Sequence, residues 1–427
     1  MRQRWITVGV CVAAAAALAA FLHTERMDPP SHPLPAVPGP GLALDGEPRG
    51  FVTRTRNDIG YAAWVTGDVA HVGALRLATN SPAWPARGLG DATGVEGLLA
   101  FPDALVLTVR RNPLLSPSDR LLVVLDPATG ATRWTADYFD QGSDLAFYED
   151  VVVLGSRAAR STRGLDWRTG AERWSLPDPA TGEVTAAPIS GPDPAVPLQD
   201  TRLFQIVHHD TLHTYDVRTG TLTGTLSLAE SRSDAVVVGN TLVVNEFRRA
   251  VAYDVTGATP ARTLVRADDQ HSVTSVAGCG AGRICLILGG LPKVRPSLRA
   301  FDAATGRELW RAESPESHDT TIGTAGTSVF TAGALYSPTG ALLSDDRDTW
   351  NSSPRPSLGH VTDGRLIELA YTESYSSDTA VRVSWVSTAD GARTRLGSVT
   401  GDPRSCSWTE RFLLCARRGA LGVWALA

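Results

Sequence analysis

Few stretches of this sequence carry residue types that could do chemistry. His208-His209-Asp210-Thr211-Leu212-His213 is the densest set of metal-ligand types. On a helix His209 and His213 would share a face, but Ile206 to Val217 reads as two strands turning at Asp210. His208 and His213 would then meet across a hairpin. Two imidazoles without a third ligand fall short of a zinc or copper centre. Gly278-Cys279-Gly280-Ala281-Gly282 imitates a phosphate loop, yet no helix follows to supply a dipole. Asp345-Asp346-Arg347-Asp348 has the acids of a calcium loop without its glycine or closing glutamate. Tyr371, Tyr375 and the stretch Thr372 to Ser377 have the composition of a recognition loop, or of a plain connection. No Gly-x-Ser-x-Gly or His-Glu-x-x-His occurs. Catalytic, cofactor-binding and metal-binding residues are therefore all assigned as none.

The cysteines do carry an expectation. Cys279 and Cys285 flank a tight glycine turn, and Cys406 and Cys415 flank a longer hairpin. Facing positions on adjacent strands fall in the window of about 4.4–6.8 Å between Cα atoms that a disulfide needs. Two local pairs point to an oxidising compartment. Loops this short add roughly 2–3 kcal/mol each on the loop-entropy account.

What positions everything else is a repeat. Asp126-Pro-Ala-Thr-Gly130-Ala-Thr-Arg-Trp134 recurs as Asp166…Gly170…Trp174 and Asp302…Gly306…Trp310; Asp216…Gly220 keeps the turn and loses the tryptophan. Asp and Thr can hydrogen-bond the backbone of a tight turn, and Gly supplies the φ > 0 residue that closes a bulged hairpin. Residues two and four beyond the Gly share one strand face, so each Trp points the same way. A large aromatic repeated at one place in each unit packs unit against unit. The turns Asp254-Val-Thr-Gly257, Ser337-Pro-Thr-Gly340 and Thr388-Ala-Asp-Gly391 are degenerate copies, and Asp178…Gly182 is read as part of a long loop. Valine-rich strands upstream, such as Val151 to Leu154 and Leu242 to Val244, read as inner strands buried on both faces. The period of roughly 40 residues is blade-sized.

The expected fold is an all-β propeller of four-stranded antiparallel blades. Seven turns plus one clasped unit give eight blades; seven is the alternative, because 56–95 fits the repeat poorly. The C-terminal strand lacks an outer neighbour, which the N-terminal part must supply, with Phe51 to Arg56 the candidate.

With 427 residues, 43% hydrophobic and 20% charged, the chain can bury a large core, and 40 Gly with 27 Pro suit many short strands. A net charge of −5 offers no basic stripe for nucleic acid. Met1-Arg-Gln-Arg4 followed by the apolar run from Trp5 to Leu22 reads as one membrane helix, a signal anchor or signal peptide, over 1–28. Residues 29–43 are proline-dense and read as a linker; 44–427 form the propeller. A single-pass cell-membrane protein with an extracytoplasmic body is expected, or a secreted one if the leader is cleaved. Cys11 lies in the apolar run and reads as a membrane-embedded cysteine.

At Asp-x-x-Thr-Gly-x-x-x-Trp the chain resembles the pyrroloquinoline-quinone (PQQ)-like propeller repeat, found in quinoprotein dehydrogenases and in non-catalytic, membrane-anchored relatives. The resemblance implies the fold. It also raises a quinone cofactor, but quinoprotein dehydrogenases carry a vicinal disulfide and no Cys-Cys occurs here, so no cofactor is assigned. The expected function is a non-enzymatic, membrane-tethered scaffold, monomeric, binding a protein or cell-envelope polymer. The alternative is a PQQ-dependent dehydrogenase or small-ligand binder.

Overall fold

The computed structural model describes residues 32–426 except 45, 112–119, 139–144, 157–159, 178–183, 187–195, 230–233, 247, 281, 291–295, 314–321, 332–333, 346–356, 362–363, 372–379 and 418. The described residues form nine sheets, eight of four strands and a last one of three. Each is a simple meander in which neighbours in sequence pair antiparallel. We number these blades 1 to 9 along the chain: 49–91, 94–138, 145–177, 184–227, 234–266, 271–313, 322–345, 357–400 and 407–425.

Burial follows strand order. The third strand of blade 2, Arg120–Leu125, is buried at every position. Outer strands bury only what reaches a neighbour: in Glu172–Pro177 and in Glu308–Glu313 the single buried residue is the tryptophan. That alternation is what a half-solvated antiparallel edge requires.

Nine hydrophobic clusters fall one to each junction between successive blades, and the junction of blade 9 with blade 1 has its own. There Trp64, Leu75 and Leu77 of blade 1 pack with Leu414, Leu421 and Val423 of blade 9. Thr53 adds a 2.8 Å hydroxyl contact to Ser407 and donates to the Ser405 carbonyl. The sheets thus close into a ring of nine blades, which corrects the expected eight and the alternative seven.

The unit missed from the sequence is blade 1. Its third and fourth strands meet at Arg76-Leu-Ala-Thr-Asn80, and Trp84 follows at the repeat's spacing. Arg replaces Asp and Asn replaces Gly, and Asn80 adopts the left-handed conformation at φ 43°, which asparagine tolerates better than most residues. Val65 to Val72, which the sequence places in an inner strand pair, spans the turn between second and third strands instead.

The N-terminal part does complete blade 9, but not with the expected segment. Phe51 to Arg56 belong to the innermost strand of blade 1, paired with Ile59–Thr66. The outer position is filled from the proline-rich stretch. Val37 N donates to Val423 O (2.9 Å) and Ala425 N to Pro35 O (3.0 Å), so Ala36 pairs antiparallel with Trp424. Leu34 N donates to the carbonyl of Ser398 on blade 8, Ser398 N donates to the His32 carbonyl, and Leu34 is buried. Asn80 Nδ2 reaches Val37 O, and Gly41 N reaches Asn80 O. Residues 32–41 are therefore part of the ring, and the folded body begins well before the boundary expected near residue 44. The apolar segment over 1–28 lies outside the described residues, among which no helix is long and apolar enough to cross a membrane.

Candidate functional site

The two faces of the ring are built differently. One carries the turns that join first to second and third to fourth strands, and most of these are tight. The other carries the connections between second and third strands and between blades, several of them longer, such as those joining Arg110 to Arg120 and Asp345 to Ser357.

On the turn face the repeated turn residues of blades 2, 3, 4 and 6 are occupied structurally. Asp166 Oδ1 accepts from Arg168 N (3.0 Å), Thr169 N (2.9 Å) and Thr169 Oγ1 (2.8 Å), while Oδ2 accepts from Arg173 (2.6 Å). The Arg173 bond leads in holding this carboxyl at about 2. Asp126, with Arg133 in the same place, is held below the usual carboxylate range for the same reason. Asp216 and Asp302 repeat the turn with Thr219 and Thr305. Gly130, Gly170, Gly220 and Gly306 all have φ near +70°, where a side chain is strained.

Each of those glycines also lies beneath a side chain of the preceding blade. A Cβ on Gly130 would come within 2.7 Å of Trp84, on Gly170 within 2.6 Å of Trp134, and on Gly220 within 2.8 Å of Trp174. The indole N–H groups donate to carbonyls just after the turn aspartate: Trp84 to Pro127 (3.1 Å), Trp134 to Trp167 (3.0 Å) and Trp174 to Val217 (2.8 Å). Trp310 also covers Gly340 of blade 7, but its Nε1 finds no hydrogen-bond partner among the described residues. Gly306 is covered by Arg262 and Leu264, and Arg262 donates to the Ala303 and Ala304 carbonyls (3.1 and 2.6 Å). Arg262 stands eight residues after Asp254, where a full copy has tryptophan. Sequence reasoning missed both Trp84 and Arg262, although that spacing marks each.

The histidines do not converge. His208 and His209 form the turn itself, both at positive φ (54° and 65°), and His213 pairs in register with Gln205. The His213 Nδ1 contacts the Tyr215 hydroxyl at 3.0 Å. Burial first, then the charge of His208, lowers its pKa. Among the described residues no three His, Cys, Asp or Glu gather as a metal site. Asp178 to Gly182, Asp346 to Asp348 and Thr372 to Ser377 lie outside the described residues. Cys279 bonds Cys285 (Cα–Cα 5.6 Å) across the first hairpin of blade 6. Cys406 bonds Cys415 (Cα–Cα 4.1 Å) within blade 9, just below the usual separation.

A family model described as outer membrane protein assembly factor BamB matches residues 68–277 and 208–346, well over half the chain. The chain belongs to this family, whose repeat is the PQQ-like propeller unit. No curated protein matches it significantly. Similar solved structures include BamB from Moraxella catarrhalis, at 18% identity over 84% of this chain and 93% of that one, TM-score 0.43. A computationally designed protein, Ika8, shares 15% identity over 92% and 99% with TM-score 0.46. A eukaryotic initiation factor shares 11% over 85% and 90% with TM-score 0.56. At such identities the likeness is one of fold alone.

Proposed function

We propose that this protein is a non-enzymatic scaffold outside the cytoplasmic membrane, held by its N-terminal apolar run and binding a protein or cell-envelope polymer through connections on the face opposite the tight turns. The observation that carries this reading is the division between faces. Turn-face residues are committed to bracing one blade against the next, which leaves the longer connections free to vary without loss of the ring. The family description, an assembly factor, supports a protein-binding role. The hairpin disulfides suit an oxidising compartment.

Crosslinking on intact cells followed by mass spectrometry tests it. A reproducible envelope partner, attached through residues of the ring, is expected. Dye-linked alcohol or sugar oxidation by the purified protein with added quinone and calcium would overturn the reading, as would crosslinks only to cytoplasmic proteins.

A further inference from the structure

One junction lacks the side chain that covers its neighbours. Eight residues after Asp216, where blade 4 should present tryptophan, stands Gly224. The turn it would cover, Asp254-Val-Thr-Gly257, is the short form, with Gly257 N bonded to Asp254 O (2.9 Å). Blade 7 has the same short form, with Gly340 N on Ser337 O (3.0 Å), and there a Cβ on the glycine would come within 2.6 Å of Trp310. The short turn is thus compatible with an indole above it. At Gly257 nothing among the described residues lies within 4 Å of that point, and residues 256–261 are all exposed.

The surroundings of this gap are those of an unfilled contact. Leu222, which lies opposite Tyr215 across a bulge while Gly224 lies opposite Thr214, is 49% exposed, the most exposed large hydrophobic side chain among the described residues. The Val255 carbonyl holds the place of Val217 O, which receives the Trp174 indole N–H, and no donor reaches it among the described residues. At blade 7 the matching Pro338 carbonyl is taken by Arg283 (3.1 Å); no such competitor occupies Val255. Among the described residues the strand Leu222–Ser227 pairs only with Thr211–Asp216, so its outward edge is open to another strand.

From this we infer that the slot between blades 4 and 5 is a docking site for an extended segment of a partner protein that inserts a tryptophan over Gly257. The occupant's chemistry is set by the ring: Trp84, Trp134, Trp174 and Trp310 fill equivalent slots, and one indole brings both an apolar face and a donor for Val255 O, a pairing that at Gly306 takes Arg262 and Leu264 together. The segment would lie along the open edge of Leu222–Ser227, a mode in which main-chain bonds give affinity and one pocket gives specificity. The inference rests on the reading of this chain as a protein-binding scaffold.

The test uses the full chain and a labelled peptide, Arg-Glu-Leu-Trp-Arg-Ala-Glu, which copies residues 307–313, the strand that fills the blade 6–7 slot. Fluorescence anisotropy should show saturable binding, with at least about ten-fold weaker binding when the peptide's tryptophan is alanine. A photoreactive version should crosslink to residues 222–226 or 254–262. G224W should abolish binding by filling the slot from within; a Cβ at Gly224 meets only Thr214 at an ordinary 3.7 Å. Leu222→Asp, at an exposed position, should weaken binding at least ten-fold with folding intact. Equal binding of both peptides, no binding, or crosslinks elsewhere would overturn the inference. So would concentration-dependent self-association lost in G224W, which would give the slot to a second copy of this chain. Partner capture in cells that persists undiminished in G224W keeps the scaffold reading and removes this one.

Discussion

Blade 4 meets its two neighbours in different ways. Toward blade 3, Trp174 is buried over Gly220 with its N–H on Val217 O, and Gln205 Nε2 bonds Thr162 Oγ1 at 2.7 Å in the interior. Toward blade 5 the inner contacts are ordinary, with Phe204, Ile206 and Leu212 against Val237, Leu242 and Tyr253, but the rim holds Gly224 and an exposed Leu222. The contrast separates two jobs of the repeat. Inner strands hold the ring together at every junction, whereas the rim aromatic is an added clamp that can be withdrawn, leaving surface.

Removing the clamp where it exists should separate the two junctions most strongly. Trp174→Ala should cost about 3–5 kcal/mol, the usual range for emptying a buried aromatic site. Leu226→Ala, on the rim of the other junction, should cost about 1–2 kcal/mol, since its side chain is only partly buried. Denaturant unfolding midpoints measure both, and equal losses would mean that the two junctions are not distinct.

Next in size are the glycines. Gly220→Ala meets both φ +67° and the Trp174 ring, so a loss of about 2–3 kcal/mol is expected. Gly257→Ala meets only its φ of +73°, for about 1 kcal/mol. A thermal-shift series across Gly130, Gly170, Gly220 and Gly257 sharpens the comparison, because Gly257 alone should tolerate the methyl group.

The smallest effect is in the turn itself. The Asp166 carboxyl titrates at about 2 in the folded chain against an ordinary 3.8, with Arg173 the first cause. A lowered carboxyl pKa contributes stability that is complete above about pH 4 and fades as pH falls toward about 2. Asp166→Asn should flatten the stability curve over that window and change little at neutral pH beyond the loss of the Arg173 contact. A variant curve parallel to the wild type down to pH 2 would contradict this.

The blade turns were readable from sequence wherever physics leaves little choice of residue. A positive φ under an indole admits only glycine, and an outer strand with one buried position shows its tryptophan plainly. Blade 1 was hidden because asparagine can also hold the left-handed turn, so Asn80 broke the pattern while Trp84 kept it. The closing strand was hidden for a different reason. Proline density reads as a linker, because proline donates no N–H. An edge strand, however, needs donors only at alternate positions. Against blade 9 Val37 supplies that donor and Pro35 contributes its carbonyl, while Leu34 donates to Ser398 of blade 8, where Pro33 sits between bonded residues. The slot beside Gly224 was half visible: the missing tryptophan could be read, but the openness above Gly257 needed the blade 7 turn beside it for comparison.

The account depends most on the ring being closed by its N-terminal segment. Hydrogen–deuterium exchange of the full chain, followed at the amides of Leu34, Val37 and Ala425, tests this directly. Protection comparable to that of the inner strand Thr241–Asn245 is predicted for all three. Exchange of these amides at the rate of an unstructured chain, with the inner strands still protected, would contradict it.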